Sequence, residues 1–314
     1  MSEAQDYKYI GQRTIRPDGY DKVTGRANYA ADLALPGMIW AKVLRSPHAH
    51  ARIRSIDTSK AEALPDVMAV ATHVDIPNQA NPGAINILAK DKALYHGHAI
   101  AGVAAKTEAA AEAALALIEV DYEVLPPIMS IEDAMADGTA LIHEDLITKG
   151  MAEQPTSPSN VSSRMEMNKG DIAAGFAEAD VILEREFRTP TVHQGYIEPH
   201  ACTVRFDEDG QSMIWCSTQG HFGVRATTAA LLNLEHSKLK VIASEIGGGF
   251  GGKTVVYLEP LALILSKKSG RPVKIQMDRD EVFKASGPGS ATRNKVKIGA
   301  KKDGTITAME AHLY

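Results

Sequence analysis

The chain has 314 residues, of which 44% are hydrophobic and 23% are charged, and its formal net charge is −5 at pH 7. This composition is typical of a globular protein of about two domains and excludes a disordered chain. The acidic balance argues against a nucleic-acid partner, because binding a phosphate backbone requires a clustered basic face. No apolar run reaches the roughly 18 residues that span a bilayer, and residues 1–6 are polar and acidic, unlike a signal peptide. We therefore expect no membrane span and a cytoplasmic location.

The first half of the chain predicts short strands around one helix. The first 15 residues are polar and are predicted to form an N-terminal arm. Alternating or continuous apolar runs predict strands at 39–44, 51–56, 68–72, 100–105 and 119–125. A helix is predicted over 107–118, because Thr107 is a good cap, Glu108 suits a first turn and alanines follow.

Residues 151–170 are predicted to be a linker, since the segment 151–165 is rich in Ser, Pro, Asn and Gln and has no periodicity. The region that follows carries more strands and two helices. Strands are predicted at 181–187, 203–206, 213–216, 239–243, 273–277, 295–298 and 306–313, and helices at 224–232 and 255–268. Turns at 207–210 and 301–304 join neighbouring strands into two hairpins.

The two cysteines, Cys202 and Cys216, limit the metal chemistry of the chain. An iron–sulfur cluster usually needs four thiolates, and a structural zinc site of the cysteine type needs a CxxC-like spacing that is absent. We expect both to be reduced, buried packing residues.

The most informative segment is the glycine loop, residues 247–254, which lies between a predicted strand and a predicted helix. Glycines let the backbone approach a ligand closely, and exposed N–H groups at the start of a helix favour oxyanions. Three interpretations follow: a nucleotide-binding loop, a glycine turn that serves packing alone, and a loop that binds another cofactor.

Two nucleotide-binding patterns match the glycine loop. A dinucleotide-binding pattern uses Gly247, Gly249 and Gly252, and a P-loop pattern uses Gly247 and Gly252 with Lys253 and Thr254. In both patterns Asp278, at the end of the next strand, would be the acidic residue. Both lack their usual context, because the 62 residues after Gly252 are mainly predicted hairpin strands. A nucleotide-binding domain builds most of its parallel sheet after the loop, through further strand–helix units.

Five segments in order along the chain carry a resemblance to a known family. They are 21–32 (DKVTGRANYAAD), 45–51 (RSPHAHA), 198–201 (EPHA), 217–220 (STQG) and the glycine loop itself, which begins GGGFGG. Together they resemble the N-terminal part of the molybdopterin-binding large subunit of the xanthine dehydrogenase and aldehyde oxidase family, and the resemblance runs along most of the chain.

The resemblance implies an α+β chain in which an N-terminal α/β hammerhead domain precedes the first part of a molybdenum-cofactor-binding α/β domain. The hammerhead domain with its connecting segment would cover 16–150, after an N-terminal arm at 1–15. The linker at 151–170 would lead to a partial molybdopterin-binding domain at 171–314.

The resemblance also implies the site residues. Gln219 matches a glutamine that lies close to an oxo group on molybdenum, where an amide N–H can bond an anionic ligand without adding charge. Gly248, Gly249, Phe250 and Gly251 match the stretch whose backbone amides face the metal's oxygen ligands and the cofactor. No side chain of this chain is expected to ligate the metal directly.

The family's chemistry implies the cofactors and partners. The cofactor would be molybdenum-molybdopterin, either as such or in its cytosine dinucleotide form, and 2Fe-2S and FAD would reside on an iron–sulfur subunit and an FAD subunit. The reaction would hydroxylate an aldehyde or N-heterocycle with oxygen derived from water. The family's general-base Glu lies in a region absent here, so a companion subunit should carry the remaining molybdenum domain, and this chain alone should be inactive.

Two departures from the family bear on the substrate. Xanthine-oxidising members carry a Glu where this chain has Thr254, and an Arg about where it has Gly289. Without this carboxylate and this guanidinium, the charged hydrogen bonds that would hold a purine are lost. Xanthine is therefore not expected, and a less polar ring, an aldehyde or an acyl-CoA-type substrate stays open. Thr254 is a candidate for the substrate pocket.

Several other residues are open to two interpretations. Histidine pairs at i, i+2 could bind a metal on one face of a strand but are expected to be structural: His48 with His50, and His96 with His98. Glu198 and His200 are expected to pack or to support the site. Lys253 could meet a phosphate, or instead cap a carbonyl or lie in solvent.

Two rival functions stay open from the sequence. One is a non-catalytic scaffold or assembly subunit that keeps the fold without the cofactor, and the other is a nucleotide-binding enzyme that uses the glycine loop. The last predicted strand carries Met309 and Leu313 and runs to Tyr314. An apolar edge strand of this kind should need a partner edge.

Overall fold

A computed structural model of the protein describes residues 7–314. The first six residues of the predicted N-terminal arm lie outside the described residues. The strands are β1 (Ile39–Arg45), β2 (Ala51–Asp57), β3 (Val67–Thr72), β4 (Lys92–Ala93), β5 (Ala99–Ala105), β6 (Glu119–Val124), β7 (Val181–Thr189), β8 (Ala201–Arg205), β9 (Ser212–Cys216), β10 (Leu239–Ala243), β11 (Val273–Gln276), β12 (Thr292–Ala300) and β13 (Ile306–Leu313). The helices are α1 (Gly19–Val23), α2 (Ser59–Glu62), α3 (Ala84–Ile87), α4 (Glu108–Leu115), α5 (Ile131–Met135), α6 (Ile172–Ala177), α7 (His221–Leu231), α8 (Glu259–Ser269) and α9 (Arg279–Ala285).

A seven-stranded mixed sheet joins the two halves of the chain, in the order β10-β9-β8-β11-β1-β5-β3. The junction is the parallel pairing of β1 with β11, in which Ile39 lies opposite Val273. Strands from the predicted hammerhead domain and from the predicted cofactor-binding domain therefore share one sheet. Two three-stranded sheets complete the fold, in the orders β4-β2-β6 and β13-β12-β7. The boundaries at 15, 150 and 170 stay a prediction.

Helix α8 is the central element of the core, and its residues from Glu259 to Ser266 are buried. The helix presses against β5 at Gly102, where a Cβ atom would lie 2.9 Å from the Cδ1 atom of Leu261. Only glycine permits this approach, so the all-buried strand β5 can pack directly under the helix.

The predicted strands and both hairpins are confirmed, but three helix boundaries are wrong. Helix α7 begins at His221 rather than 224, and α4 ends at Leu115 rather than 118. Helix α8 begins at Glu259 rather than 255, so the glycine loop does not run directly into a helix. Proline at position 260 is suited to a first helical turn, and the Glu259 carboxylate accepts the backbone N–H groups of Tyr257 and Leu258, at 3.1 and 3.2 Å.

The cysteines are free and buried, as predicted. Cys202 and Cys216 lie opposite each other on β8 and β9, and burial raises the pKa of both thiols. Because the thiolate is the reactive form, neither side chain is expected to be a nucleophile. Over residues 7–314, the helices are too short or too polar to cross a membrane.

Buried His98 makes the stability of the fold sensitive to acid. Its Nε2 donates to the carbonyl of Ile85 at 2.6 Å, and its Nδ1 accepts the N–H of Leu94 at 3.2 Å. These contacts suit the neutral ring, and burial lowers the pKa of His98 to about 4. Below the unfolded-state pKa of about 6.5, the unfolded chain binds more protons than the folded chain, so the free energy of unfolding falls as the pH falls.

We predict that wild-type protein loses up to about 3 kcal/mol more stability than His98→Gln between pH 6.5 and pH 4. Denaturant unfolding of the full chain at a series of pH values measures this difference. His96→Gln is the matched control, because His96 is exposed in the same loop. Its removal should leave the change in the free energy of unfolding with pH the same as in the wild type. Equal slopes for wild type and His98→Gln would contradict the prediction.

Candidate functional site

The glycine loop forms a tight turn after β10, in which Phe250 and Gly251 are exposed and Gly249 and Gly252 are buried. The N–H of Gly252 donates to the carbonyl of Gly249 at 2.7 Å. Between them, Phe250 has a φ of +49° and its ring is 75% exposed. A left-handed backbone is unfavourable for an aromatic residue, and such strain persists only where surrounding contacts hold it.

Gln219, at the start of α7, supplies those contacts. Its Oε1 accepts the N–H groups of Gly251 and Lys253 at 3.1 and 3.2 Å, and its own N–H donates to the carbonyl of Lys253 at 2.9 Å. The amide orientation follows from these donors. With Oε1 occupied, the Nε2 group is left as a donor on an exposed residue, without a partner among residues 7–314.

Gly249 lets Gln219 reach the loop. A Cβ atom at Gly249 would lie 2.5 Å from Oε1 of Gln219, so any other residue would push the amide away. The structure thus brings together the predicted residues Gln219, Gly249, Phe250 and Gly251. Their role in binding a cofactor stays a prediction.

Three consecutive backbone donors of the loop point to an anionic or oxygen-rich ligand. Within the described part of the chain, the N–H groups of Gly248, Gly249 and Phe250 have no hydrogen-bond partner. Successive unpaired N–H groups around a left-handed residue make a concavity that attracts anions. Together with the Nε2 group of Gln219, they fit the oxo ligands and anionic groups of a molybdenum-molybdopterin cofactor.

A buried ion pair lies beneath the loop. The Nζ atom of Lys253 is 2.6 Å from Oε2 of Glu198, and the two side chains are 0% and 11% exposed. The same oxygen accepts the N–H of Gly247 at 2.7 Å. The three expectations for Lys253, a phosphate contact, a carbonyl cap or a position in solvent, are all wrong, because its buried ammonium pairs with Glu198. A P-loop lysine must face the phosphates, so this position argues against the nucleotide-binding rival.

A hydrogen-bonded network that the sequence did not predict extends from the buried side of the loop. The hydroxyl of Tyr196 is 2.7 Å from Nε2 of His200 and 3.0 Å from Oγ of Ser286, which lies 2.8 Å from Nε2 of His193. Burial, aided by the charge of Lys253, lowers the pKa of His200 to about 3. These contacts bury His200 and most of the Glu198 side chain, in agreement with the packing expected of them, while their support of a cofactor site stays a prediction.

The N-terminal segment also reaches the site. Lys22 forms an ion pair with Glu245 at 2.8 Å and donates to the carbonyl of Ile246 at 3.2 Å. Tyr29 pairs with Glu245 as a short parallel bridge. The entry to the glycine loop is therefore held by residues more than 200 positions earlier, in the first segment that resembles the family.

The remaining candidates lie at the edge of the loop or away from it. Thr254 is exposed and its hydroxyl donates to the carbonyl of Gly251 at 3.1 Å, which ties this pocket candidate to the turn. Gly289 pairs through its backbone with Val192. In residues 7–314 no group of three or more His, Cys, Asp and Glu side chains could hold a metal, and Nδ1 of His50 bonds the carbonyl of Pro126.

Comparisons with known proteins agree with this geometry. Residues 24–126 match the aldehyde oxidase and xanthine dehydrogenase a/b hammerhead domain, and residues 153–314 match the molybdopterin cofactor-binding domain. The predicted fold class and order of domains are thus confirmed.

The similar proteins are molybdenum enzymes whose names refer to different substrates. A probable xanthine dehydrogenase subunit of Bacillus subtilis is 35% identical over 95% of this chain and 39% of its own length. The nicotinate dehydrogenase large molybdopterin subunit of Eubacterium barkeri is 32% identical over 99% of this chain and 71% of its own. The structure of reconstituted CO dehydrogenase from Oligotropha carboxidovorans superimposes with a TM-score of 0.84 at 32% identity, over 96% of this chain and 39% of that one.

The chain spans about two fifths of the length of the B. subtilis relative and of the CO dehydrogenase chain. Within that span, both domain matches, the relatives and the superposition point to one family. The chain therefore belongs to the xanthine dehydrogenase and aldehyde oxidase family of molybdopterin-binding subunits, as a hammerhead domain followed by a molybdopterin cofactor-binding domain.

Proposed function

We propose that this chain holds the molybdenum cofactor in a multi-subunit hydroxylase that oxidises an aldehyde or an N-heterocycle. The observation that carries the proposal is the set of unpartnered donors formed by Nε2 of Gln219 and the N–H groups of residues 248–250. When bound, the molybdenum cofactor supplies the two-electron oxidation of the substrate carbon, with water as the source of oxygen. The chain itself binds and orients the cofactor.

Gln219 is proposed to donate a neutral hydrogen bond to an oxo ligand of the cofactor. A preorganised donor in a fixed position stabilises developing charge without the cost of reorganisation. An amide suits this task better than a lysine or arginine, because it adds no charge that would trap the anionic form. The backbone N–H groups of Gly251 and Lys253 both donate to Oε1 of Gln219. These two bonds keep the Nε2 end of the amide directed outward.

The substrate is proposed to be less polar than xanthine. Phe250 and Thr254 of the loop and Val255 directly after it are exposed, and Gly289 takes the place of a family arginine. Neither a carboxylate nor a guanidinium is present at these positions to grip a purine in bidentate fashion. A small aldehyde or a weakly polar heteroaromatic ring fits such a lining better.

Partner subunits are proposed to carry the electron-transfer groups. The two cysteines of this chain are buried opposite each other, so neither can serve a 2Fe-2S cluster at its surface. We propose 2Fe-2S and FAD on separate subunits, the cofactor in molybdopterin or cytosine dinucleotide form, and a cytoplasmic location for the complex.

We also propose that the chain works with a companion polypeptide that carries the remaining molybdenum domain. The β13-β12-β7 sheet offers it an apolar face. Leu183, Ile298 and Met309 lie side by side across the three strands, and Phe187 and Leu313 pair with one residue of β12. Four of these side chains are more than half exposed: Leu183, Phe187, Met309 and Leu313.

The opposite face of this sheet is already covered by α6. Cβ atoms built at Gly175 and Gly299 would lie 2.5 Å from the carbonyl oxygen of Thr307 and 3.0 Å from the Cβ of Ala179. Because one face packs on a helix and the other presents apolar side chains, the free face is a candidate contact surface rather than a solvated one. We propose that the companion polypeptide covers it.

Metal analysis of the complex purified with all its subunits tests the proposed function directly. About one molybdenum per complex, with pterin fluorescence after oxidation, is the expected result. A complex that contains every partner but no molybdenum would favour the scaffold interpretation, and tight ATP or NAD binding would favour the nucleotide-binding one.

Gln219→Glu should lower kcat of the complex by about 10²–10³-fold, in the range seen when one such donor is lost. The carboxylate can still accept the N–H groups of Gly251 and Lys253, but it donates nothing and adds a negative charge facing the cofactor. Gln211→Glu is the matched control, because Gln211 is an exposed amide that donates to the carbonyl of Ser237. Comparable kcat values for both variants would refute the role of Gln219.

Leu183→Glu should weaken association of the companion polypeptide at least tenfold, because a charge on the apolar face must be desolvated there. His312→Glu is the control, since the His312 side chain is 56% exposed and pairs with Lys295 on the other side of the sheet. Co-purification and sedimentation measure the association. Equal behaviour of the two variants would count against the proposed surface.

A further inference from the structure

The Glu198–Lys253 ion pair is set apart by its depth and its position. Most ion pairs of the described chain involve at least one side chain that is more than a third exposed, whereas these two are 0% and 11% exposed. The Nζ atom of Lys253 also lies 4.9 Å from the ring centroid of Tyr196, which is itself buried. The pair therefore sits in a low-dielectric pocket directly beneath the glycine loop.

Both members of the pair are connected to the residues that form the candidate site. Oε2 of Glu198 accepts the N–H of Gly247 as well as the ammonium of Lys253. The backbone of Lys253 donates to Oε1 of Gln219, and its carbonyl accepts the N–H of Gln219 and the hydroxyl of Thr218. One chain of contacts thus runs from the first glycine of the loop, through the ion pair, to the Gln219 amide.

Stability alone does not account for this pair. Removing two charges from water is costly, and a buried pair is often no more stable than apolar residues of similar volume. Burial lowers the pKa of Lys253, and the bond to Glu198 opposes that shift. Oε1 of Glu198 is buried without a hydrogen bond to any described residue. What the pair does instead is to restrict the position of the loop backbone at Gly247 and at Lys253, near the two ends of the loop.

We propose that Glu198 and Lys253 are positioning residues that hold the donors of Gln219 and residues 248–250 in register with each other. The inference rests on the proposed function, since the register matters only if these donors meet one ligand. Neither side chain reaches the loop surface, so both act through the loop backbone and Gln219. A displaced loop would still be folded, but its donors would no longer keep their present spacing.

The decisive variant is the double substitution Glu198→Gln with Lys253→Met in the assembled complex. It removes both charges together, so no uncompensated charge is left buried, and complex assembly should persist. The expected result is at least a threefold loss of molybdenum and pterin per complex after dialysis. The Mo(V) electron paramagnetic resonance spectrum of the remaining cofactor should be altered.

Arg45→Met with Glu281→Gln is the matched control. This ion pair has the same 2.6 Å separation and similar burial, with side chains 12% and 15% exposed, but it makes no contact with the glycine loop. Molybdenum content and the spectrum should be those of the wild type. If the control loses cofactor equally, the effect of the loop pair is one of general stability and the inference is overturned.

The outcomes separate the inference from the proposed function. A wild-type complex without molybdenum overturns the proposed function, and the inference with it. A loaded wild type beside an equally loaded, spectrally unchanged double variant overturns the inference alone. If the double variant does not assemble, the isosteric Glu198→Gln decides: we expect an altered spectrum, and an unchanged one overturns the inference.

Discussion

The parallel pairing of β1 with β11 is the constraint on which the arrangement of the whole chain depends. It joins residues near position 40 to residues near position 274 and so merges the two halves into one seven-stranded sheet. Parallel neighbours cannot be linked by a tight turn, and here the connection is most of the chain. The hammerhead half therefore cannot be removed without exposing an edge of the sheet that supports the cofactor-binding half.

The candidate site inherits its rigidity from that sheet. Strands β8, β9 and β10 lie on one side of β11, and the glycine loop leaves β10 while Gln219 follows β9. The N-terminal segment contacts the start of the glycine loop through Lys22, which donates a hydrogen bond to the carbonyl of Ile246. A strained Phe250 can be tolerated because contacts from three distant parts of the chain hold the turn around it.

Two surfaces of the described chain are candidates for binding, one because of its polar donors and the other because of its apolar side chains. At the glycine loop, polar donors have no partner among residues 7–314, which suits an oxygen-rich ligand of fixed shape. On the free face of the β13-β12-β7 sheet, apolar side chains such as Phe187 and Leu313 lack cover, which suits a polypeptide. The first surface is the one to which we assign the molybdenum cofactor, and the second is the one to which we assign a companion polypeptide.

The sequence by itself determined the strands, the two hairpins, the family and the grouping of Gln219 with the glycine loop. The strands and hairpins follow from local alternation and turn chemistry, whereas the family and the grouping of Gln219 with the glycine loop were implied by the resemblance that five short segments carry. It could not determine where α8 begins, because a carboxylate and a proline at the true first turn outweigh the apolar pattern that starts earlier. Only the tertiary structure decided the partner of Lys253, the network from His193 to His200 and the contact of Lys22 with the loop. Each of these joins residues from separate segments, and burial, which sequence patterns report only on average, selects which polar groups must pair.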